Sequence, residues 1–364
     1  MSKIFRKYFY NFLIIISVTS FILIIPIYSL FTLNKENNNQ DKKILTTTTM
    51  LYDAVKHLIG DVDEEEDPKL EYQKIENISI DVLMGIGIDP HNYKTKLSDR
   101  NKIKKADLLI VNGLHLEAKM LEAFDQLLSK NTSSKFWKAG EESLEKKDKL
   151  TEENSKDCDP HIWFNIDLWI KIVGKLKEQI KTIILSKEGQ DKLDNNLKIF
   201  QTELKKTRYY IIEKMKKLKE KIENNGKNKF IIVTAHDAFS YWQNFSEYHY
   251  CSFELKSIQG ISTQTEASTS TIINLAKELA DNNVKAIFTE SSMPKNSLES
   301  LKEEVDTLKK QKGLEPIRIP DVELYSDSLG ANDKKEEFGG KQYKHSTYIG
   351  AFLNNLRVIE ENLL

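Results

Sequence analysis

The chain has 364 residues, with 54 basic and 55 acidic side chains and a formal net charge of −1 at pH 7. This length has room for two domains of ordinary size. The near-neutral charge balance gives no general electrostatic basis for binding nucleic acid or an acidic lipid surface, so nucleic acid is excluded as an expected partner.

The N-terminal segment, residues 1–33, predicts a membrane anchor or a secretion signal. Three basic residues precede Tyr8, and the uncharged stretch 8–33 is long enough to span a bilayer. The basic flank predicts a cytoplasmic N-terminus with the rest of the chain outside, in the periplasm or at the cell surface. Because no alanine precedes Ala54 and no cysteine lies near the end of the stretch, an uncleaved anchor is favoured over a cleaved signal. Residues 34–43 predict a flexible tether.

The segment after the tether predicts strands that alternate with helices. The expected elements are a strand at 44–48, a helix through 52–58, a strand at 78–83, a short helix at 98–104 capped by Ser98, a strand at 108–111, a helix at 115–128 and a charged surface loop at 138–156. Alternation of this kind is typical of a parallel α/β sheet.

Residues 190–223 predict one long helix. Their apolar residues recur at spacings of three, four and once seven, which places them on one face of a helix. At 1.5 Å per residue this helix is roughly 50 Å long, more than the width of a small domain. A coiled-coil seam is the alternative interpretation. A helix that joins two lobes fits better, because strand and helix patterns resume directly after it.

The remaining chain predicts a second α/β lobe. Its expected elements are strands at 230–234 and 286–289 and helices at 269–280, 298–310 and 348–363. The predicted fold is therefore α/β, with mainly parallel sheets flanked by helices in two lobes, 44–189 and 224–364, which the rigid helix 190–223 joins.

Two copies of one tripeptide, Asp89-Pro90-His91 and Asp159-Pro160-His161, indicate the functional site. Proline fixes its own φ and restricts the residue before it, so each histidine leaves a stiff turn. Neutral imidazole is the commonest metal ligand in proteins. The structural alternative is that Asp-Pro simply starts a turn, but the repetition favours two halves of one metal site. Each aspartate is expected to cap its turn rather than to bind metal.

Two further side chains complete the predicted metal site. His236 follows the strand 230–234, and Asp327 lies in a loop after an extended segment near 317–324. With His91 and His161, they give two ligands from each lobe, so the site is expected in the cleft between lobes. Three imidazoles and one carboxylate suit a borderline divalent ion.

Enzymatic activity is not expected, and no catalytic residue is assigned. Four protein ligands leave little room for a catalytic water, and the motifs of helical zinc proteases, phosphate-binding loops and nucleophile elbows are absent. A zinc hydrolase would need a base such as Glu290, for which structural ion pairing is the preferred role. The other histidines, His57, His115, His249 and His345, are expected to be structural or surface residues. Whether Cys158 and Cys251 are bonded stays open.

The sequence resembles the zinc/manganese solute-binding proteins of bacterial ABC importers, the TroA-like periplasmic metal-binding family. The resemblance covers residues 44–364 and rests on seven segments in order, G-I-D-P-H-N-Y, A-D-L-L-I-V-N-G-L-H-L-E-A-K-M, D-P-H-I-W-F, T-A-H-D-A-F-S-Y, Q-G-I-S-T, A-I-F-T-E-S-S and Y-S-D-S-L-G. It implies an extracytoplasmic, monomeric receptor that captures Zn²⁺ or Mn²⁺ and delivers it to an ABC permease. The family's ligands fall on His91, His161, His236 and Asp327.

Two departures from the family pattern leave the choice of metal open. Residues 138–157 contain no histidine, unlike the His-rich loop of zinc-specific members, which favours manganese or mixed metals. The third ligand is His236 where some manganese members have a carboxylate, which favours zinc. The alternative function is a surface adhesin on the same scaffold, in which the metal has a structural role.

Overall fold

The computed structural model describes residues 41–62, 72–128, 135–151, 158–224, 229–264 and 267–364. The chain divides into two units, Met1–Lys42 and Lys43–Leu364, and the second contains the site discussed below. The anchor expected at 8–33 and most of the tether at 34–43 lie outside the described residues. Within the described ranges, no helix combines the length and apolar character needed to cross a membrane.

The N-terminal half is built on a four-stranded sheet flanked by helices. The strands are β1 (Lys42–Thr46), β2 (Ile78–Val82), β3 (Leu108–Val111) and β4 (Lys135–Lys138), and the helices are α1 (Thr49–Ile59), α2 (Leu97–Lys105), α3 (Leu121–Leu128), α4 (Ala139–Ser143) and α5 (Ile166–Lys181). The strand order is β2-β1-β3-β4, and β3 pairs in parallel with both β1 and β4. This confirms the predicted parallel α/β arrangement.

Two helix starts in this half were wrongly predicted. Ser98 lies inside α2, which begins after Lys96, and the Asp99 carboxylate accepts the Lys96 backbone N–H at 2.7 Å. The helix expected at 115–128 begins only at Leu121, after a 3₁₀ turn at Ala118–Met120. The reason is local, because His115 has a left-handed backbone with φ 65°, which cannot continue into a right-handed helix.

The surface loop expected at 138–156 is also partly wrong. Its first residues form α4, in which Ala139, Gly140 and Ser143 are buried, and Leu144 is buried directly after it. Small and apolar residues between the charged ones pack this segment against the protein. The high Lys and Glu content of the segment led to the prediction of a surface loop. Residues 152–157 lie outside the described part of the chain.

The C-terminal half has less regular sheet structure. After the long helix α6 (Lys187–Asn224), its elements are β5 (Ile231–His236), α7 (Ser240–Tyr248), β6 (Glu254–Gln259), α8 (Thr269–Asp281), α9 (Asn296–Gln311), β7 (Lys335–Phe338), β8 (Lys341–Lys344) and α10 (Tyr348–Leu363). β5 and β6 pair in parallel, whereas β7 and β8 form an antiparallel hairpin. The strand expected at 286–289 is present only as extended backbone with bridges from Ala286 to Arg318 and from Glu290 to Leu324.

The long helix, α6, spans Lys187–Asn224, slightly more than the predicted 190–223. Its 38 residues correspond to about 57 Å. It packs on α1 and α5 of the first half and on α10 of the second. One hydrophobic cluster, which includes Val55 of α1, Phe200 of α6 and Phe352 of α10, extends through both halves. The helix therefore links the lobes as predicted, while the lobe boundaries 44–189 and 224–364 stay a prediction.

Candidate metal centre

The first Asp-Pro-His turn follows β2 and positions His91. The Asp89 carboxylate accepts the His91 backbone N–H at 2.8 Å, so this aspartate caps the turn as predicted. Its other oxygen accepts the hydroxyl of Thr263 at 2.7 Å, and the Gln264 side-chain amide donates to the His91 carbonyl at 3.3 Å. Thr263 and Gln264 belong to the C-terminal half. The turn that carries His91 is thus held from both halves.

The second turn positions His161 more tightly. Asp159 Oδ1 accepts the His161 backbone N–H at 2.9 Å and lies 2.8 Å from the imidazole Nδ1. This contact directs Nε2 away from Asp159 and towards the other histidines. The next aromatic, Trp163, donates its indole N–H to the carbonyl of Ser326 at 3.0 Å. The second turn is therefore attached to the loop that carries Asp327.

His236 is the last residue of β5 rather than the residue after a shorter strand. The Glu290 carboxylate accepts the backbone N–H groups of Ala235 and His236 at 2.7 and 3.0 Å, and its second oxygen lies 2.8 Å from His236 Nδ1. Both side chains are fully buried. The ion pairing expected for Glu290 is confirmed, and this carboxylate orients His236 from behind.

Asp327 lies in a loop fixed by several side chains. Asn355 bonds both the N–H and the carbonyl of Tyr325 at 2.8 Å each, and the Leu329 N–H donates to the Thr49 hydroxyl at 2.8 Å. Asp327 is only 2% exposed. Its Oδ1 makes no aligned hydrogen bond within the described chain, although His161 Nε2 is 3.3 Å away. A shared cation would satisfy this buried oxygen.

The structure brings all four predicted residues together. One ligand atom from each of His91, His161, His236 and Asp327 lies within 4.8 Å of the others, and all four side chains are buried. His161 Nε2 is 3.3 Å from Nε2 of both other histidines, and the carboxylate oxygens lie 3.3 and 3.4 Å from His161 and His236. Around a tetrahedral ion with ligands at ~2.0–2.1 Å, neighbouring ligand atoms are about 3.3–3.4 Å apart, so these four contacts are compatible with one bound divalent ion.

Burial and charge set the protonation of the cluster. Burial lowers the pKa of His91 to about 3, with Asp327 opposing and the other histidines assisting the shift, so this imidazole is neutral. Burial also acts to lower the pKa of His161, but Asp159 and Asp327 outweigh it and raise the pKa to about 9. The pKa of His236 is raised by Glu290 and Asp327 against burial, and that of Asp327 is held low by the two histidines. The carboxylates therefore favour positive charge at this position.

The arrangement suits binding better than catalysis. Three nitrogens and a carboxylate fit a borderline divalent ion, and four ligands from the protein complete a tetrahedral shell. Catalytic zinc sites instead keep one position for water or substrate. Glu290, the base that a hydrolase would need, instead accepts two backbone N–H groups through Oε1.

The other histidines and both cysteines lie outside the four-residue cluster. Three of the histidines have structural partners, as expected: Asp53 for His57, Asp167 and Arg208 for His249, and Tyr325 and Glu336 for His345. The fourth, His115, is an exposed surface residue, which also agrees with the expectation. Cys158 and Cys251 are both free thiols. Sequence reasoning missed the contributions of Thr263 and Gln264. The Q-G-I-S-T segment was the available signal, because it ends at Thr263.

The fold and the site define a two-lobed α/β protein with a buried cluster of three histidines and one aspartate that could hold a divalent metal ion. The family model described as zinc-uptake complex component A, periplasmic, matches residues 44–362, and the chain belongs to that family. The zinc-binding protein TroA of Treponema pallidum (strain Nichols) is 32% identical over 317 residues, 87% of each chain. The manganese-binding lipoprotein MntA of Bacillus subtilis (strain 168) is 29% identical over 89% of this chain and 90% of its own.

The fold agrees with a solved structure as well. The periplasmic zinc-binding protein TroA from Treponema pallidum matches with a TM-score of 0.71 and 29% identity, covering 89% of this chain and 99% of that chain. The family resemblance drawn from the seven sequence segments is therefore confirmed.

Proposed function

We propose that this protein is the solute-binding component of a metal ABC importer, which captures Zn²⁺ or Mn²⁺ and delivers it to a membrane permease. The observation that supports the proposal best is the buried cluster of His91, His161, His236 and Asp327, whose spacing suits one divalent ion. The chain also belongs to a family described by zinc uptake. Matching relatives are named as manganese- or zinc-binding proteins, so the adhesin alternative is not favoured.

In this proposal the four side chains are the metal ligands and the ion is cargo. His91 and His161 come from the first half and His236 and Asp327 from the second, so uptake and release depend on the same cleft. Because the protein supplies every ligand of a tetrahedral shell, the bound ion is carried and not used in a reaction.

The place of action follows from the N-terminus and from the relatives. Relatives are described as periplasmic or as lipoproteins, which supports a role outside the cytoplasm. We infer that residues 8–33 anchor this chain as a monomer, with lobes 44–189 and 224–364 on either side of the linking helix. Mass spectrometry of membrane-extracted native protein should detect peptides from residues before Asn34. A mature N-terminus after Leu30 in every molecule would show cleavage instead.

Metal binding by matched variants tests the proposal. Replacing His161 by Ala removes the nitrogen nearest to the other three ligands and should weaken Zn²⁺ binding at least 100-fold, beyond the 10–100-fold typical of outer-shell changes. His249→Ala is the control, because this histidine contacts Asp167 and Arg208 away from the cluster. Isothermal titration should show one ion per wild-type chain. Equal loss in both variants would refute the ligand assignment.

A further inference from the structure

The side-chain amide of Asn92 bonds the turn that carries His91 to the C-terminal half. Its nitrogen Nδ2 is 2.9 Å from Asp89 Oδ2, 3.0 Å from the hydroxyl oxygen of Thr263 and 3.3 Å from the Thr263 carbonyl oxygen. Asp89 itself accepts the Thr263 hydroxyl and the His91 backbone N–H. Asn92 therefore contacts both the residue that caps the turn and the residue that attaches this turn to the other half.

An exposed lysine fixes the direction in which this amide points. Lys119, in the 3₁₀ turn of the first half, donates to Asn92 Oδ1. A lysine ammonium can only donate hydrogen bonds, so it requires the amide oxygen on its side. The carboxylate of Asp89 and the carbonyl of Thr263 can only accept, so they require the NH₂ group on the other side. The reverse orientation of the amide would lose the contacts with all three groups.

A second attachment to the C-terminal half precedes His91 in the chain. The Gly87 N–H donates to the hydroxyl of Ser328 at 2.9 Å, and Ser328 follows the proposed ligand Asp327. This attachment does not involve the amide of Asn92. Loss of the amide contacts should therefore loosen the His91 turn without detaching it, so the expected effect is on the rate of metal release and not on the presence of the site.

We propose that Asn92 and Lys119 are positioning residues for metal release: Lys119 orients the amide of Asn92, and this amide holds the His91 turn against Thr263 while an ion is bound. Release then requires the amide to separate from Thr263, and Lys119 opposes the rotation of the amide that would allow it. The inference rests on the proposed function and assigns the release rate to two residues that supply no ligand.

Asn92→Asp is the decisive variant, because Coulomb attraction and positioning predict opposite signs. A new negative charge close to a bound cation should slow its release. The new carboxylate would keep the contact with Lys119, but its second oxygen would face Asp89 and the Thr263 carbonyl with no proton to donate. Asn92→Ala should accelerate Zn²⁺ dissociation by about tenfold, through loss of a hydrogen bond to a charged group, and Asn92→Asp should accelerate it further.

Lys119→Glu tests the orienting role at an exposed position, where the fold tolerates substitution. A glutamate carboxylate can only accept, so it attracts the NH₂ group and turns the amide oxygen of Asn92 towards Asp89. Release should be several-fold faster, again opposite to the effect of the added negative charge. Lys105→Glu makes the same change in charge at the exposed end of α2 and should not accelerate release.

Chelator-trap dissociation and stopped-flow association of Zn²⁺ with the full-length protein supply the readout. The effects should appear in dissociation and leave association nearly unchanged. Asn92→Ala combined with Thr263→Val should accelerate release by less than the product of the separate effects, because the two side chains share a contact. Dissociation from Asn92→Asp that is no faster than from wild type, or equal acceleration in Lys119→Glu and Lys105→Glu, would overturn the proposal. A wild-type chain that binds no Zn²⁺ would instead refute the function proposed above.

Discussion

Replacing Glu290 by Gln tests how a buried carboxylate prepares His236 for metal. Glu290 Oε1 accepts two backbone N–H groups at 2.7 and 3.0 Å, and Oε2 lies 2.8 Å from His236 Nδ1. Glutamine has the same shape but must place an NH₂ group at one of these positions. An NH₂ group opposite Nδ1 makes that nitrogen an acceptor. The imidazole proton then moves to Nε2, the atom that faces the proposed ion.

Energies decide between the two orientations of the glutamine amide. If the glutamine amide instead places its NH₂ group beside the backbone N–H groups of Ala235 and His236, these two buried groups lose their acceptor. The cost is ~1–3 kcal/mol each, or about 2–6 kcal/mol in total. Disturbing an outer-shell partner typically weakens metal affinity by ~10–100-fold. At ~1.36 kcal/mol per tenfold, this is about 1.4–2.7 kcal/mol. The orientation with the NH₂ group opposite His236 Nδ1 has the smaller free-energy cost and is therefore adopted. Glu290→Gln should lose metal affinity and keep most of its folding stability.

Asp159→Asn is the matched control for this prediction. A single oxygen, Asp159 Oδ1, contacts both the backbone N–H and Nδ1 of His161. The amide oxygen of asparagine can occupy that position and retain both contacts, so the loss should stay below about tenfold, under the usual outer-shell range. Chelator competition for Zn²⁺ at one fixed pH measures both affinities. An equal or larger loss in Asp159→Asn would refute the reasoning.

Two further predictions concern metal release and stability. Thr263→Val removes the hydroxyl that bonds Asp89 across the halves, a hydrogen bond to a charged group worth ~1.5–3 kcal/mol, and should accelerate Zn²⁺ dissociation by about tenfold in a chelator-trap experiment. Thr307→Val, on the outer face of α9, should leave the rate unchanged. His57→Gln should remove a pH-dependent part of the unfolding free energy, measured as the difference from wild type in denaturant titrations at pH 6 and pH 9.5.

The direction of the His57 effect follows from its surroundings. Burial lowers the pKa of His57, but Asp53 and Glu203 outweigh this and raise it from 6.5 to about 9. A raised pKa in the folded state contributes stability that is fully present below pH ~6.5 and is lost as pH rises through about 9. The shift corresponds to about 3 kcal/mol. A wild-type-minus-variant difference that is the same at both pH values would contradict this assignment.

Periodicity predicted the fold well wherever burial determines the structure. The stripe along α6 identified a 38-residue helix to within three residues at its start, because that face packs on both halves. The closing helix at 348–363 was predicted at its observed bounds. Boundaries failed where side chains bond the backbone locally, as at Asp99, or where a left-handed residue such as His115 interrupts the chain.

The proposed ligands could be selected from sequence because their turns are stiff and repeated, and the structure places them together. Their supporting residues could not. Glu290 was identified as an ion-pairing residue, but its partner His236 is 54 positions away, and Thr263 bonds a residue 174 positions away. Periodicity gives no partner for contacts at such separations, and the Q-G-I-S-T segment marks Thr263 without identifying Asp89 as its partner. The folded chain is therefore needed to show which polar residues support the site.

The three histidines of the cluster are held in place by different kinds of contact. His161 and His236 each have a carboxylate within 2.8 Å of Nδ1. His91 is fixed through its backbone, by Asp89 and by the bond from Gln264 in the other half. It also lines a cavity of about 260 Å³, together with Gln264. Separation of the Thr263 and Gln264 contacts would therefore free the His91 turn first, while Asp159 and Glu290 still hold the remaining imidazoles in place.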